Sequence, residues 1–456
     1  MRIKLSFPLK LSDITSALDV PSPMTDNLIS YISTDTRELF PGDLFIALHG
    51  KKFNGSDFTD EAISKGAVAI SESECATIRV NDANYALIKM ISLFKSKLKH
   101  LRYTIAITGS VGKTTTKELL RSILATKYNV HATDKNNNNI FGIFNTVLSA
   151  PSDTEILILE CGMNAKGELY DISRAITPTH AIITNVGHAH IGMLGSRKEI
   201  ASAKLEIAEH LVGGGSLYLS DDEPLFSSVS NANRFSLTDL TAHFCICTKN
   251  LNEYGSIFDA FSYGKHLYSA FVPLLGEHIL MCLCPTLAVA NDLCVELETI
   301  RSTLHAIPSS ILRQRLLNAN GYTVYDDTYS SSPEAIKATM KMLSLLGKTI
   351  SPVLGDMLEL GEYSRELHRA IGKDICKHNV RYLYAIGRFA QDIAEGALSY
   401  GMSAERIHVN LDPLRLDITA DAIKKNYSGE IILLKASHAI HLEEIIPHLM
   451  KGNENA

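Results

Sequence analysis

Apolar residues in this chain fall into short runs whose period changes several times, and those changes mark the elements. Between residues 32 and 70 the runs are brief and broken: Pro41-Gly42-Asp43 is a turn, residues 44–48 read as a strand, and residues 60–65 as a helix closing at Gly66. This predicts a small α/β module, with the basic stretch at 95–100 (KSKLKH) as a helix end or linker behind it. From residue 103 the pattern changes. Continuous apolar runs of buried-strand type at 103–108, 155–160 and 180–184 are separated by helical periodicity, as over 114–126. Strands alternating with helices predict a mostly parallel sheet. Residues 221–268, rich in Ser, Asn and aromatic side chains, read as shorter strands and loops; a single helix is expected over about 279–303, before a Pro308-Ser-Ser turn. Strands at 322–325, 349–354, 381–386 and 430–434 supply a second α/β unit.

A chain of 456 residues exceeds one ordinary core, and domains of roughly 100–200 residues make three the natural division. The boundaries expected are 1–100, 101–309 and 310–456, all three domains of α/β class. With 44 basic against 50 acidic residues and a formal charge of -6, nothing suggests a basic stripe for nucleic acid or an anionic membrane. The opening MRIKLSFPLKLSD lacks the apolar core of a signal peptide, and no apolar run approaches the roughly 20 residues that cross a bilayer. Eight cysteines include C-x-C pairs at Cys245/Cys247 and Cys282/Cys284 but no C-x-x-C. They read as buried, reduced thiols of a cytosolic protein.

The sequence T-G-S-V-G-K-T-T at 108–115 lies between a predicted strand and a predicted helix, the context a phosphate-binding loop requires. Glycines let backbone N–H groups close around phosphate oxygens, and the helix N-terminus adds positive potential. Gly109, Ser110, Gly112, Lys113, Thr114 and Thr115 are therefore the candidate nucleotide residues. Lys113 reaches the β and γ phosphates, and the Thr114 hydroxyl binds magnesium. Ile107 stands where the general pattern has another glycine, so this is the shorter T-G-x-x-G-K-T form. Such a loop alone leaves a GTPase, a kinase or a motor possible. The run ILILE ends in Glu160 at the carboxyl edge of the expected sheet, where ligands of parallel sheets bind. T-N-V-G-H-A-H ends at His190, and Lys204 and Glu206 follow on a helix. Hard cations prefer oxygen, so Glu160 is the better magnesium ligand; taken singly, His190 reads as a hydrogen-bonded loop residue and Lys204 as a surface lysine.

Together these motifs resemble the Mur ligases, over nearly the whole chain. The hallmarks are T-G-x-x-G-K-T, the glutamate after the strand, T-N-[IV]-x-x-x-H and A-K-x-E. The resemblance implies a small N-terminal module that holds a UDP-substrate, a central P-loop ATPase domain with a parallel sheet, and a C-terminal Rossmann-like ligase domain. It implies ATP and Mg2+ as cofactors, Glu160 and His190 as ligands of a second magnesium, and a carbamylated Lys204. Lys113, Glu160, His190 and Lys204 become the expected catalytic residues, Thr114, Glu160, His190 and Lys204 the metal set. Asn138, Asn139, Arg313 and Asp356 are expected at the nucleotide.

Two outer segments resemble the branch that adds D-alanyl-D-alanine. S-T-D-T-R at Ser33, Thr34, Asp35, Thr36 and Arg37, followed by PGDLFIAL, resembles the module for a UDP-muramoyl peptide; a simple turn with an Asp–Arg contact is the alternative for these five residues. LGDMLELG at 354–361 with His368 resembles the carboxyl-terminal signature. The implied chemistry is peptide-bond formation through an acyl-phosphate, with UDP-muramoyl tripeptide and D-Ala-D-Ala or analogues as small-molecule partners of a cytoplasmic monomer.

Several positions depart from the family pattern. H-N-x-x-N, whose asparagines meet adenine, is His278-Ile-Leu-Met-Cys282. D-D-x-Y-N-A-N-P keeps Asp326, Asp327 and Tyr329, all expected at substrate, but has Ser330, Ser331 and Ser332 in place of N-A-N. K-G-S-R is Lys435-Ala-Ser-His438, an imidazole for a guanidinium fork. Phosphate and metal positions are kept while those around base, amine and peptide vary. Beside the cell-wall ligase this leaves a paralogue joining another carboxylate and amine, and a nucleotide-binding protein without catalysis.

Overall fold

The computed structural model describes residues 2–21, 25–50, 53–134, 137–252, 254–308 and 315–450. Arg313 and the serines of the Pro308-Ser-Ser turn lie outside them. The chain forms two compact units, one of Met1–Thr108, Leu124–Ile183 and Ala203–Tyr218, the other of Gly109–Ile123, Thr184–Ser202 and Leu219–Ala456.

The first unit opens with a five-stranded sheet in chain order: β1 (Arg2–Lys10), β2 (Leu28–Ser33), β3 (Leu44–Ile46), β4 (Val68–Ser71) and β5 (Ile78–Arg79). β1 runs antiparallel to β2, and the remaining pairs are parallel. Ile3, Leu5 and Leu9 of β1 face inward. These inward positions keep a period of two, with Phe7 half-buried between Leu5 and Leu9, while the pairing register with β2 shifts between Lys4 and Leu9. Helix Ala83–Lys97 begins at Asp82, whose side chain accepts from Tyr85 N, so the basic stretch is a helix end.

The same unit carries the parallel strands β6 (Tyr103–Thr108), β7 (Val130–Ala132), β8 (Ile156–Glu160) and β9 (His180–Ile183), ordered β7-β8-β6-β9, with β10 (Ser216–Ser220) next to β9. All residues of β8 and β9 are buried, as a sheet covered on both faces demands. Ile107 pairs with Glu160 and Thr108 with Ile183, so these strands present their carboxyl ends together.

In the second unit β11 (Asn233–Ser236) is parallel to β12 (Phe244–Asn252), followed by an antiparallel meander through β13 (Gly255–Ser262) and β14 (Lys265–Val272). Strands of eight and nine residues thus occupy a stretch expected to hold shorter ones. The single helix expected over 279–303 is two, Glu277–Asp292 and Leu297–Ala306. Cys294 takes a left-handed backbone (φ 53°) and Val295 N bonds back to Ala290 O, ending the first helix without the glycine that normally signals such a stop.

The last sheet contains β15 (Arg315–Ala319), β16 (Tyr322–Asp326), β17 (Ile350–Leu354), β18 (Leu383–Ile386), β19 (Ile407–Asn410) and β20 (Ile431–Lys435), ordered β15-β16-β20-β17-β18-β19. Only the β15–β16 hairpin is antiparallel. Asp326 pairs with Leu434 and Lys435 with Leu354, so the central carboxyl ends lie level at the crevice where such sheets bind ligands. Among the described residues no helix is long and apolar enough to cross a membrane.

Candidate active site

The phosphate loop of the second unit is held from behind by the T-N-V-G segment. Val111 N donates to Asn185 Oδ1 (2.9 Å) and Ser110 N to Asn185 O (3.2 Å). Thr184 Oγ1 and Asn185 Nδ2 both donate to Val111 O, at 2.6 and 2.9 Å, and Gly187 N donates to Ser110 Oγ at 2.9 Å. Every one of these bonds has a loop backbone group or the Ser110 hydroxyl as a partner, so the loop is shaped before any ligand arrives. Gly109 is obligatory: its φ is 150°, and a Cβ there would sit 1.9 Å from Thr184 Oγ1. Helix Lys113–Leu124 starts directly from the loop, with Thr116 N on Gly112 O at 2.8 Å, which sets its N-terminal N–H groups and dipole at the loop. Lys113 Nζ curls back onto Gly109 O at 2.8 Å, while Thr114 and Thr115 are half-buried on the first turn. Thr184, Asn185 and Gly187 are loop braces that reading by motif missed; their spacing from His190 was visible, their partner was not.

His190 sits three residues beyond Gly187, in a left-handed backbone (φ 66°). Its Nδ1 lies 2.7 Å from Glu359 Oε2 of the L-G-D-M-L-E-L-G loop, and this contact holds the Glu359 carboxyl below its usual range. Gly192 N donates to Glu359 O (3.1 Å), and Tyr363 OH to Gly195 O (2.9 Å). Gly192 and Gly361 touch backbone to backbone: a Cβ on Gly361, which has φ 56°, would lie 2.6 Å from Gly192 Cα. His188 is engaged in parallel by Glu334, which accepts from His188 N at 3.2 Å and also contacts its Nδ1. The histidine loop is therefore gripped by two carboxylates from the carboxyl-terminal part of the chain.

The LGDMLELG loop is itself pinned. His368 is fully buried; its Nε2 accepts from Met357 N (2.9 Å) while Nδ1–H donates to Ser364 O (2.6 Å), a neutral tautomer fixed on both sides. Burial lowers its pKa below the ordinary imidazole value of 6.5. Asp356, expected at the nucleotide, has both oxygens on backbone donors, Arg388 N and Phe389 N at 2.9 Å each. In this structure it anchors a loop.

In the first unit Glu160 is 2 % exposed and accepts from Asn138 Nδ2 at 3.1 Å, and its own N–H donates to Thr133 Oγ1. It lies in register with Ile107, two residues before Gly109 in the chain. Asn139 caps helix Ile140–Leu148 by accepting from Gly142 N (2.9 Å). Lys204 is 1 % exposed. That is contrary to the surface lysine its sequence alone suggests, and buried lysines require anionic or polar partners. Glu206 spends its carboxylate on Gly167 N and Tyr170 N at the start of helix Glu168–Ile176, so the last residue of A-K-x-E is a cap. The turn with an Asp–Arg contact is present: Arg37 forks onto Asp35 (2.9 and 2.6 Å) and holds that carboxyl well below its usual range. Ser33 Oγ takes Asp35 N, Thr36 is buried, and Thr34 and Arg37 are exposed.

At the edge of the last sheet Lys435, 1 % exposed, pairs with Asp327 at 2.7 Å and donates to Ser330 O at 2.8 Å. Thr339 Oγ1 completes Asp327, and Asp326 takes Thr328 Oγ1 and Arg315. Tyr329 stacks on His438, centroids 5.4 Å apart. Ser332 caps the helix that begins at Pro333, a role its asparagine counterpart could equally fill. Cys282 packs under Gly112 (Sγ to O 3.7 Å), its thiol pushed up to about 11 by burial and thus protonated. Of the eight cysteines, Cys75 and Cys294 are exposed, which corrects the expectation that all are buried.

The second unit's phosphate loop and Rossmann-like carboxyl-terminal sheet, and the first unit's buried strand-end carboxylate and buried lysine, are parts of an α/β enzyme that works on a nucleotide's phosphates. Residues 28–98 match the Mur ligase family catalytic domain, 107–290 the Mur ligase middle domain and 313–438 the Mur ligase glutamate ligase domain. The UDP-N-acetylmuramoyl-tripeptide–D-alanyl-D-alanine ligase of Bacillus subtilis is 34% identical over 440 residues, 93% of this chain and 94% of that one. That of Escherichia coli is 26% identical over 97% of this chain and 98% of its own. MurF from Acinetobacter baumannii superposes with a TM-score of 0.86 over 99% of this chain and all of the other, at 26% identity. The MurF ligase of Thermotoga maritima in complex with ADP gives 0.77 over 92% and 96%, also at 26% identity. The chain belongs to the Mur ligase family.

Proposed function

We propose that this chain joins UDP-N-acetylmuramoyl tripeptide to D-alanyl-D-alanine, converting ATP to ADP and phosphate. One observation carries the reading: the phosphate loop and the LGDMLELG loop are packed on the same T-N-V-G-H-A-H segment, so the nucleotide motif and the branch signature belong to one construction. The full-length relatives of that name support it. The substrate carboxylate attacks the γ-phosphorus, ADP leaves, and the dipeptide amine displaces phosphate from the acyl-phosphate. Phosphoryl transfer asks mainly for positioning and charge neutralisation. The N–H groups of Gly109 to Lys113 and the Lys113 ammonium bind the phosphates. Thr114, Glu160, His190 and Lys204, the last as its carbamate, are the residues for magnesium, which when bound neutralises charge on the phosphate oxygens. The donor set fits: Glu160 is a hard oxygen ligand kept from water, and carbamylation turns a lysine that is costly to bury into an anionic oxygen donor. Asn138 orients Glu160; Glu359 orients His190. Ser33 to Arg37 serve the UDP-substrate, and Asp326, Asp327 and Tyr329 the peptide end. Asn139, Arg313 and Asp356 serve the nucleotide site, Asn139 and Asp356 by fixing backbone. We divide the chain into domains of 1–100, 101–309 and 310–456, a division the three family matches support, and the enzyme acts as a cytoplasmic monomer.

The experiment is a substrate screen read by phosphate release and product mass. Turnover with the muramoyl tripeptide and D-Ala-D-Ala, one phosphate per product, is expected. Failure with that pair but turnover with another carboxylate and amine would replace the assignment.

A further inference from the structure

Beyond β20 the chain folds twice on itself within a few residues. His438–Ile440 is one tight turn, His441 takes a left-handed backbone (φ 53°, ψ 39°), and Leu442–Glu444 is a second turn. The reversal brings the side chains of residues 438, 441 and 443 to one side. His438 Nδ1 lies 3.9 Å from Glu443 Oε1 and His441 Nδ1 lies 3.6 Å from the same oxygen; the three donor atoms are all within 4.8 Å of one another. A tetrahedral ion with bonds of about 2.0–2.2 Å needs donors about 3.3–3.6 Å apart. The Glu443 contacts lie within a few tenths of an ångström of that range, and the imidazole pair, within 4.8 Å, closes the rest by rotation of its exposed side chains about χ1 and χ2.

The backbone beneath these donors is fixed in advance. Ala436, Leu442 and Ile445 are fully buried in the last sheet's core, and Ile440 N, His441 N and Glu444 N bond back to Ser437, His438 and His441 carbonyls. Ser437 N is tied to Asp356 O, and the Tyr329 ring stacks on His438. Glu443 Oε2 is shut off from solvent and has no hydrogen-bond partner among the described residues, while Oε1 is the atom beside the two imidazoles.

We propose that His438, His441 and Glu443 form a site for a zinc-class divalent ion, with a fourth position open to water or to a carboxylate. Two imidazoles and one carboxylate suit zinc, cobalt or nickel, whereas magnesium and calcium take oxygen. The imidazoles are 56% and 59% exposed, which leaves the outer face of the ion free. A dication on two neutral imidazoles and one carboxylate carries one net positive charge. That equals the charge of the arginine that the Mur ligase pattern has at position 438, delivered here by a group that can bind a carboxylate directly. The site stands on its own donors and does not depend on the ligase reading.

The test is cobalt(II) titration of the chelator-stripped full chain in excess magnesium, followed by visible absorption and by displacement with zinc. One equivalent with tetrahedral bands is expected. His441→Asn, which retains a residue tolerant of the left-handed backbone, and Glu443→Gln should each weaken that equivalent at least tenfold, with metal-free melting unchanged. Absence of the equivalent in the parent chain, or its survival at parent affinity in both variants, overturns the proposal.

Discussion

The phosphate loop and the carboxyl edge of the last sheet are both built for ligands, but by different means. Around Gly109 to Lys113 it is the loop backbone that is held and left to meet the ligand: the Asn185 and Thr184 side chains bond Val111 N and O, and a side chain at Gly109 would collide with Thr184. At the edge of β16 and β20 the framework is a buried side-chain pair, Lys435 and Asp327, surmounted by the exposed His438 and the Tyr329 ring on it. Backbone recognition suits the phosphates of ATP, which such enzymes have in common whatever they join, and tolerates almost no exchange. Side-chain recognition can be rewritten one residue at a time. Several departures from the Mur ligase pattern fall in the second region and at the base contact, with others at residues 53–58 and at Phe144, while the loop and its braces are intact.

The largest break is expected from Lys113→Ala, which should lower kcat about a thousandfold or more with the fold retained, as judged by circular dichroism. Lys204→Ala should come close to that, with partial rescue by formate or acetate. Full activity without additive would remove the carbamate. Gly361→Ala comes next. Its Cβ meets Gly192 at 2.6 Å, so the grip on the histidine loop opens; turnover should fall at least tenfold while ADP binding, measured by calorimetry, stays near the parent value. Equal loss of both would mean that the two loops are not separable.

On the other side of the comparison, Lys435→Met strands a buried carboxylate at Asp327 and should cost about 3–5 kcal/mol in denaturant unfolding. The double change Lys435→Met with Asp327→Leu should recover part of that stability, because an apolar pair replaces a buried ionic one. The smallest effect belongs to His368. Its folded pKa lies below 6.5, so the unfolded chain takes up the proton first; its contribution is complete above pH 6.5 and is lost as pH falls from there through the folded value. His368→Gln should flatten that part of a stability-versus-pH curve.

Much of this was legible in sequence because it rests on local rules. The strand run 103–108, the glycines after it and the helical period beyond them specify the phosphate loop without reference to distant residues. Glu160 was legible as a strand-end carboxylate. Lys204 was legible only through the family resemblance, since its burial is a tertiary fact and its sequence surroundings are those of an ordinary surface helix. Glu334 and Glu359 act on histidines 146 and 169 positions away in the chain, and no spacing rule links such residues. Asp356 was expected at the nucleotide from the resemblance alone, and the backbone N–H groups of Arg388 and Phe389 that its oxygens hold come from a distant loop that no spacing rule links to it. The break at Cys294 was hidden because a non-glycine residue adopts the left-handed conformation there.

The central claim is that the terminal phosphoryl group of ATP passes onto the substrate carboxylate before the amine attacks. The most direct measurement uses muramoyl tripeptide labelled with oxygen-18 in that carboxylate, with mass analysis of the phosphate released during ligation. One labelled oxygen in each phosphate is the predicted result. Unlabelled phosphate, formed at the same rate as product, would contradict the account.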